Sequence, residues 1–139
     1  MLIMNKAAFS LDSYTFDKIE IDLSELKPKT TFNIDFAPSG KYFDKEQRYL
    51  LNFIFTAKDD VSKKTVIKIR CIAHFSFRNI DVEQDIPDYF YANSIAILFP
   101  YIRAFVSTIT LQANVPPIVL PTLNLSDLKD ILKANTERV

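Results

Sequence analysis

The stretch Ile95-Ala96-Ile97-Leu98-Phe99-Pro100-Tyr101-Ile102-Arg103-Ala104-Phe105-Val106-Ser107-Thr108-Ile109 decides the fold of this chain. Ile95, Leu98, Ile102, Phe105 (with Val106) and Ile109 recur at three- and four-residue spacing, which lays a strongly apolar stripe along one side of a helix. Asn93 or Ser94 is placed to cap that helix, because a side-chain oxygen there can accept from its first free amides. Pro100 interrupts the pattern: lacking an N–H, it either kinks the helix or opens it as the first residue. Upstream, Pro87 is suited to start a short helical turn over residues 88–92. An apolar stripe of this kind needs a second layer to pack on, and the flanking segments supply it.

The first half of the chain reads as strands. Residues 8–23 alternate around Phe9 and Leu11, then Tyr14 and Phe16, then Ile19, Ile21 and Leu23. The phase changes near Asp12-Ser13 and again near Asp17-Lys18, which predicts one long edge strand interrupted by bulges and ended by Pro28. Residues 30–37 alternate cleanly, with Phe32, Ile34 and Phe36 on one face. Residues 38–44, holding Pro38 and Gly40, read as a connecting loop. A third strand over 48–57 puts Tyr49, Leu51, Phe53 and Phe55 on one face. After a polar hairpin over 58–64, a fourth strand over 65–78 carries Val66 or Ile67, then Ile69, Cys71, Ala73, Phe75 and Phe77. Both central strands are nearly continuous in apolar residues, as expected where both faces are covered. Beyond the helix, Pro116, Pro117 and Pro121 predict an extended, stiffened strap over 115–121. Ser126 is placed to cap a last short helix over 127–134, with Leu128, Ile131 and Leu132 inward. Strands gathered before helices predict an α+β fold.

At 139 residues the chain fits a single domain over 1–139. Its 48% hydrophobic and 13% aromatic content suits a packed globule rather than a disordered segment. Seventeen basic and seventeen acidic residues cancel, so no net field draws the chain to nucleic acid or to an anionic membrane. The lone Cys71 forms no internal disulfide and points to a reducing, cytoplasmic setting. The start Met1-Leu2-Ile3-Met4-Asn5-Lys6 lacks the features of a signal peptide. Apolar runs such as residues 95–99 fall far short of the ~18 residues a bilayer span needs. With Gly40 the only glycine, no glycine-rich phosphate loop exists.

Groups for catalysis are scarce. His74 and Cys71 are the only residues of their kinds and sit three apart on one strand, facing opposite ways, so they make neither a nucleophilic pair nor a zinc site. Asp59-Asp60 belongs to turn chemistry, and Asp85 with Asp88 suits the positive end of a helix. Lys63, Lys64, Lys68 and Arg70 with Phe75 and Phe77 form a basic-aromatic strand of the sort that can bind single-stranded nucleic acid, but the charge balance weighs against it. The reading is of a non-enzyme without metal or cofactor. Twelve Phe and six Tyr exceed what one thin core readily hides, which predicts contacts with other protein chains or an apolar groove. A small apolar ligand held in a closed aromatic pocket is the alternative.

Ile97-Leu98-Phe99-Pro100-Tyr101-Ile102-Arg103 resembles the ILFPYAR segment that opens the long helix of the SecB export chaperones. Residues 105–110 resemble the rest of that helix. Pro117-Ile118-Val119-Leu120-Pro121-Thr122-Leu123-Asn124-Leu125-Ser126-Asp127-Leu128 resembles the family's proline-bounded strap and final helix, and Tyr14-Thr15-Phe16-Asp17 its first-strand pattern. The resemblance implies a four-stranded antiparallel sheet on a long helix and a short C-terminal helix. It further implies a homotetrameric dimer of dimers, with Ile102, Phe105 and Ile109 at the interface. Unfolded polypeptide clients would lie against Phe32, Phe36, Tyr42 and Phe43, with Ile118, Val119 and Leu120 opposite. The implied function is a holdase, serving either export or one dedicated client. Lys68 and Arg70 stand near the place where the family has acid for docking the motor SecA, and only Asp17 keeps a clear counterpart, with Glu20 and Asp22 nearby. That departure weighs against SecA as a partner. SecB-like proteins that chaperone the antitoxin of a toxin–antitoxin system would not need the acidic patch.

Overall fold

The computed structural model describes residues 8–78 and 86–139. The chain runs β1 (Ala8–Ile21), β2 (Phe32–Phe43), β3 (Arg48–Asp59), β4 (Thr65–Arg78), α1 (Asp88–Gln112), α2 (Leu125–Ala134) and β5 (Thr136–Arg138). The strands form one sheet in the order β1-β4-β3-β2-β5. Neighbours among the first four are antiparallel, while β5 runs parallel to β2 beside Gly40, Lys41 and Tyr42. The fold is α+β, as expected, but its sheet is mixed and has a fifth strand that the sequence did not announce.

β1 lies at an edge, and its two phase changes are two register shifts against β4, between Leu11 and Ser13 and between Phe16 and Lys18. Each absorbs one extra residue, so Leu11, Tyr14, Phe16 and Ile19 all stay opposite inward-facing residues of β4 (Phe75, Ala73, Cys71, Ile69). Tyr49, Leu51, Phe53 and Phe55 of β3 and Ile67, Ile69, Cys71, Ala73 and Phe75 of β4 are buried beneath α1. Phe90, on the first turn of α1, is fully buried among the rings of Phe9, Tyr49 and Phe77 at centroid distances of 4.7–4.8 Å. On the opposite face Leu50, Ile54 and Ile72 are only half-buried. The expectation that both faces of β3 and β4 are covered therefore fails within one chain.

The expected loop over 38–44 is largely strand, since β2 continues to Phe43 in unbroken register with β3. Two features permit this. The Gly40 N–H points away from β3, to the Asn135 carbonyl at 3.1 Å, and Pro38 shares its parity, so the missing proline N–H breaks no ladder bond to β3. At Gly40 a Cβ would run into the Tyr49 ring, so glycine answers a close approach rather than a turn.

α1 is one helix through Pro100, with no separate turn over 88–92 and no cap at Asn93 or Ser94. It starts after Pro87, with Asp88 in its first turn; buried Ser94 lies inside it and donates to the Tyr91 carbonyl at 3.3 Å. By length and apolarity α1 could cross a membrane, yet Ile95, Leu98, Ile102 and Val106 are buried in the core of this domain. α2 is capped by Asn124, whose side chain accepts from Asp127 N–H at 3.3 Å, and not by Ser126. Leu128 and Leu132 face inward as expected, whereas Ile131 is exposed.

Candidate functional site

The helix-to-strap junction sets one wall of the site. Asn114 takes a left-handed φ of 61°. Its N–H bonds the Leu111 carbonyl at 3.0 Å, and Val115 N–H bonds Thr110 O at 3.2 Å. That pair of bonds is a Schellman motif, with asparagine in the position glycine usually takes. Pro116 and Pro117 then prevent helix from resuming. The strap beyond them is non-helical, and its burial alternates: Ile118 and Leu120 are anchored in the core, while Val119 between them is 85% exposed.

The connection between β1 and β2 sets the other wall. Asp22 accepts from Ser24 through both hydroxyl (2.6 Å) and N–H (3.0 Å), and these bonds hold its carboxyl below the usual range. Leu26 N–H reaches Leu23 O, and Thr30 closes a tight loop on Lys27 by donating to its carbonyl and accepting from its N–H. Lys29 at the tip has a left-handed φ of 64°. Between this braced loop and the strap lies a half-open groove of about 550 Å³. Leu23, Leu26 and Pro28 line one side, Phe32 and Ile34 of β2 the floor, and residues 115–119 the other side.

Of the residues expected to contact clients, the groove brings together Phe32, Ile118 and Val119. Phe36 lies elsewhere, packed on Phe53, Phe55 and Phe99. Tyr42 is 1% exposed, with Phe77 on its ring and Arg138 near its face, so the expectation that it contacts a client is withdrawn. Phe43 ends β2, and Leu120, on the strap, is turned into the core outside the groove lining. Sequence reading missed Leu23, Leu26, Ile34, Val115 and the two lysines of the loop. The three-residue spacing of Leu23 and Leu26 ahead of Pro28 was the available signal.

Ile102 is also corrected: at 1% exposure it belongs to the chain's own core and presents nothing to a second copy. Phe105 is partly buried, stacked on Phe16 at 4.1 Å, and Ile109 is partly buried. The exposed side of α1 instead carries Ile97, Tyr101 and Leu111, with Tyr14 of β1 stacked on Tyr101 at 4.5 Å.

Among the described residues catalytic groups do not converge. Cys71 is buried and its thiol is pushed up to about 12 by desolvation, while His74 faces outward on the same strand. Asp59 accepts from Val61 and Ser62 N–H groups in the hairpin, as turn chemistry predicts. Phe75 and Phe77 are buried, so the basic strand offers no exposed aromatic from this pair for base stacking. Asp88 pairs with Lys129 and Lys133 of α2; its expected companion Asp85 lies outside the described residues. Among the described residues no three His, Cys, Asp or Glu gather as a metal site.

A sheet backed by one long helix, with a braced loop and a proline strap flanking an apolar trough, defines a groove-bearing α+β domain. The chain belongs to the SecB family: the model of Preprotein translocase subunit SecB matches residues 8–132. The chain is also 30% identical to the uncharacterized protein MJ0357 of Methanocaldococcus jannaschii, over 96% of this chain and 92% of that protein. Among solved structures it is similar to the Rv1957 SecB-like chaperone of Mycobacterium tuberculosis, solved in complex with a ChAD peptide from the Rv1956 HigA1 antitoxin. That likeness has a TM-score of 0.68 at 17% identity and covers 84% of this chain and 88% of that one, so it bears on the fold alone.

Proposed function

We propose that this protein is a cytoplasmic holdase that keeps unfolded or partly folded polypeptides in the groove between the β1–β2 connection and the strap. The carrying observation is that groove: lined mostly by apolar residues, half-open, and shaped by prolines and a hydrogen-bonded loop rather than by a flexible lid. Preformed walls bind extended chain with little ordering cost, and apolar contact tolerates varied client sequences. The reading calls for no catalytic step, nucleotide or metal. A half-open trough also fits extended backbone better than the compact small ligand of the alternative reading.

The same reading favours a dedicated client, such as an antitoxin, over delivery to SecA. Asp17, the residue that matches the family's docking acid, is gripped by Arg70 through two bonds of 2.9 and 2.7 Å. The Arg70 hydrogen bonds hold the Asp17 carboxyl below its usual range, so it stays ionised, and the guanidinium beside it offsets its charge for docking. The antitoxin peptide on the fold-related mycobacterial chaperone agrees with this direction.

Titration with a reduced, unfolded model protein is the test. Micromolar binding is expected, and its absence removes the holdase reading. Val119→Asp changes an exposed groove residue, so capture should weaken while the chain's denaturation midpoint stays put.

A further inference from the structure

We infer that the groove selects apolar segments flanked by acidic residues, an inference that rests on the holdase reading and names its client class. Lys27 and Lys29 are the charged residues of the groove lining, which contains no carboxylate. Among the described residues neither lysine ammonium has an ion-pair partner. Glu25 and Asp59 border an adjoining hollow that Lys27 and Lys29 also line, but Glu25 pairs with Lys64 at 2.6 Å and Asp59 accepts from the hairpin amides. The loop that carries the two lysines is pinned by the reciprocal Lys27–Thr30 bonds, so their backbone is fixed at the rim.

An apolar trough with two lysines free of direct ion pairs at one lip favours a client whose apolar residues fill the trough and whose next residues are Asp or Glu. A client with Lys or Arg in those flanks meets like charge instead. Such rim charges set selectivity more than total affinity. They act through solvent, so their effect is modest and salt-sensitive.

The experiment uses the full chain and three labelled peptides that share one apolar core, with acidic, neutral or basic flanks. Fluorescence anisotropy should rank them acidic, then neutral, then basic, with roughly three- to thirtyfold between the extremes at low salt. Added salt should close that gap, because the screening length falls to about 3 Å at 1 M. Lys27→Glu with Lys29→Glu, at two exposed loop positions, should invert the ranking of the acidic and basic peptides. Equal binding of all three peptides overturns the acidic-flank inference and leaves the holdase reading standing. Failure of the neutral peptide to bind overturns both.

Discussion

Gly40 and Asn114 show how single positions serve the site. Gly40 lets β2 pass against Tyr49, which is fully buried and shares a 2.6 Å hydrogen bond with Thr136. Thr136 in turn donates to the Leu132 carbonyl at 2.7 Å, so one ring ties β3, β5 and the end of α2 together. Gly40→Ala should displace that ring and cost about 1–3 kcal/mol as an overpacked substitution. Urea denaturation measures it, and an unchanged midpoint would show that the ring has room to move. Asn114 aims the chain from α1 into the strap through its left-handed backbone. Asn114→Ala should cost about 1 kcal/mol and Asn114→Gly should not, because only glycine and, less freely, asparagine adopt that conformation at low cost. Equal losses in both variants would mean that the asparagine side chain, not its backbone, holds the turn.

At the scale of elements, the docking of α2 on the start of α1 is electrostatic as well as apolar. Lys133 and Lys129 each reach Asp88 at 3.1 Å and hold its carboxyl below the ordinary 3.8, Lys133 contributing the larger share. A depressed folded value means that the contribution is complete above the ordinary value and fades as pH falls through the lower one. Wild type and Asp88→Asn should therefore differ at neutral pH and converge in acid, followed by far-ultraviolet dichroism during pH titration. A difference that persists unchanged in acid rules out the pairing as its source. The elements were legible where local pattern suffices. β4 has the predicted limits, and both β1 bulges show as phase changes, because strand alternation reports which face is buried. The full length of β2 was hidden, since Pro38 and Gly40 usually end strands and are tolerated here only through β5 and Tyr49, distant in sequence. The start of α1 was legible in Pro87, but its continuity was hidden, because Asn93 and Ser94 look like caps of a separate helix and lie inside this one. Proline spacing revealed the strap. The facing loop was not legible because Leu23 and Leu26 gain meaning only when the strap is brought opposite them.

For the whole molecule, the flank formed by β1 and α1 remains unfinished. β1 is an open sheet edge, and Tyr14, Ile19, Ile21, Ile97 and Tyr101 leave roughly two-fifths of their surface exposed. We propose that a second copy covers that flank and accounts for so many exposed apolar residues. Ile97→Glu with Tyr101→Glu should reduce the light-scattering mass to that of one chain, at the minor stability cost of the lost stacking on Tyr14, about 0.5–1.5 kcal/mol. Ile102→Glu should instead unfold the chain, because a charge would be forced into its own core. If residues 23–34 and 114–119 of one chain suffice for the groove, the dissociated variant should bind a short peptide as tightly as wild type does. Its affinity for a long unfolded client should fall by about 10²–10⁴, since linked grooves convert later contacts into intramolecular ones. Equal loss for short peptide and long client would place part of the groove across the subunit boundary; equal retention would show that one groove holds the client unaided.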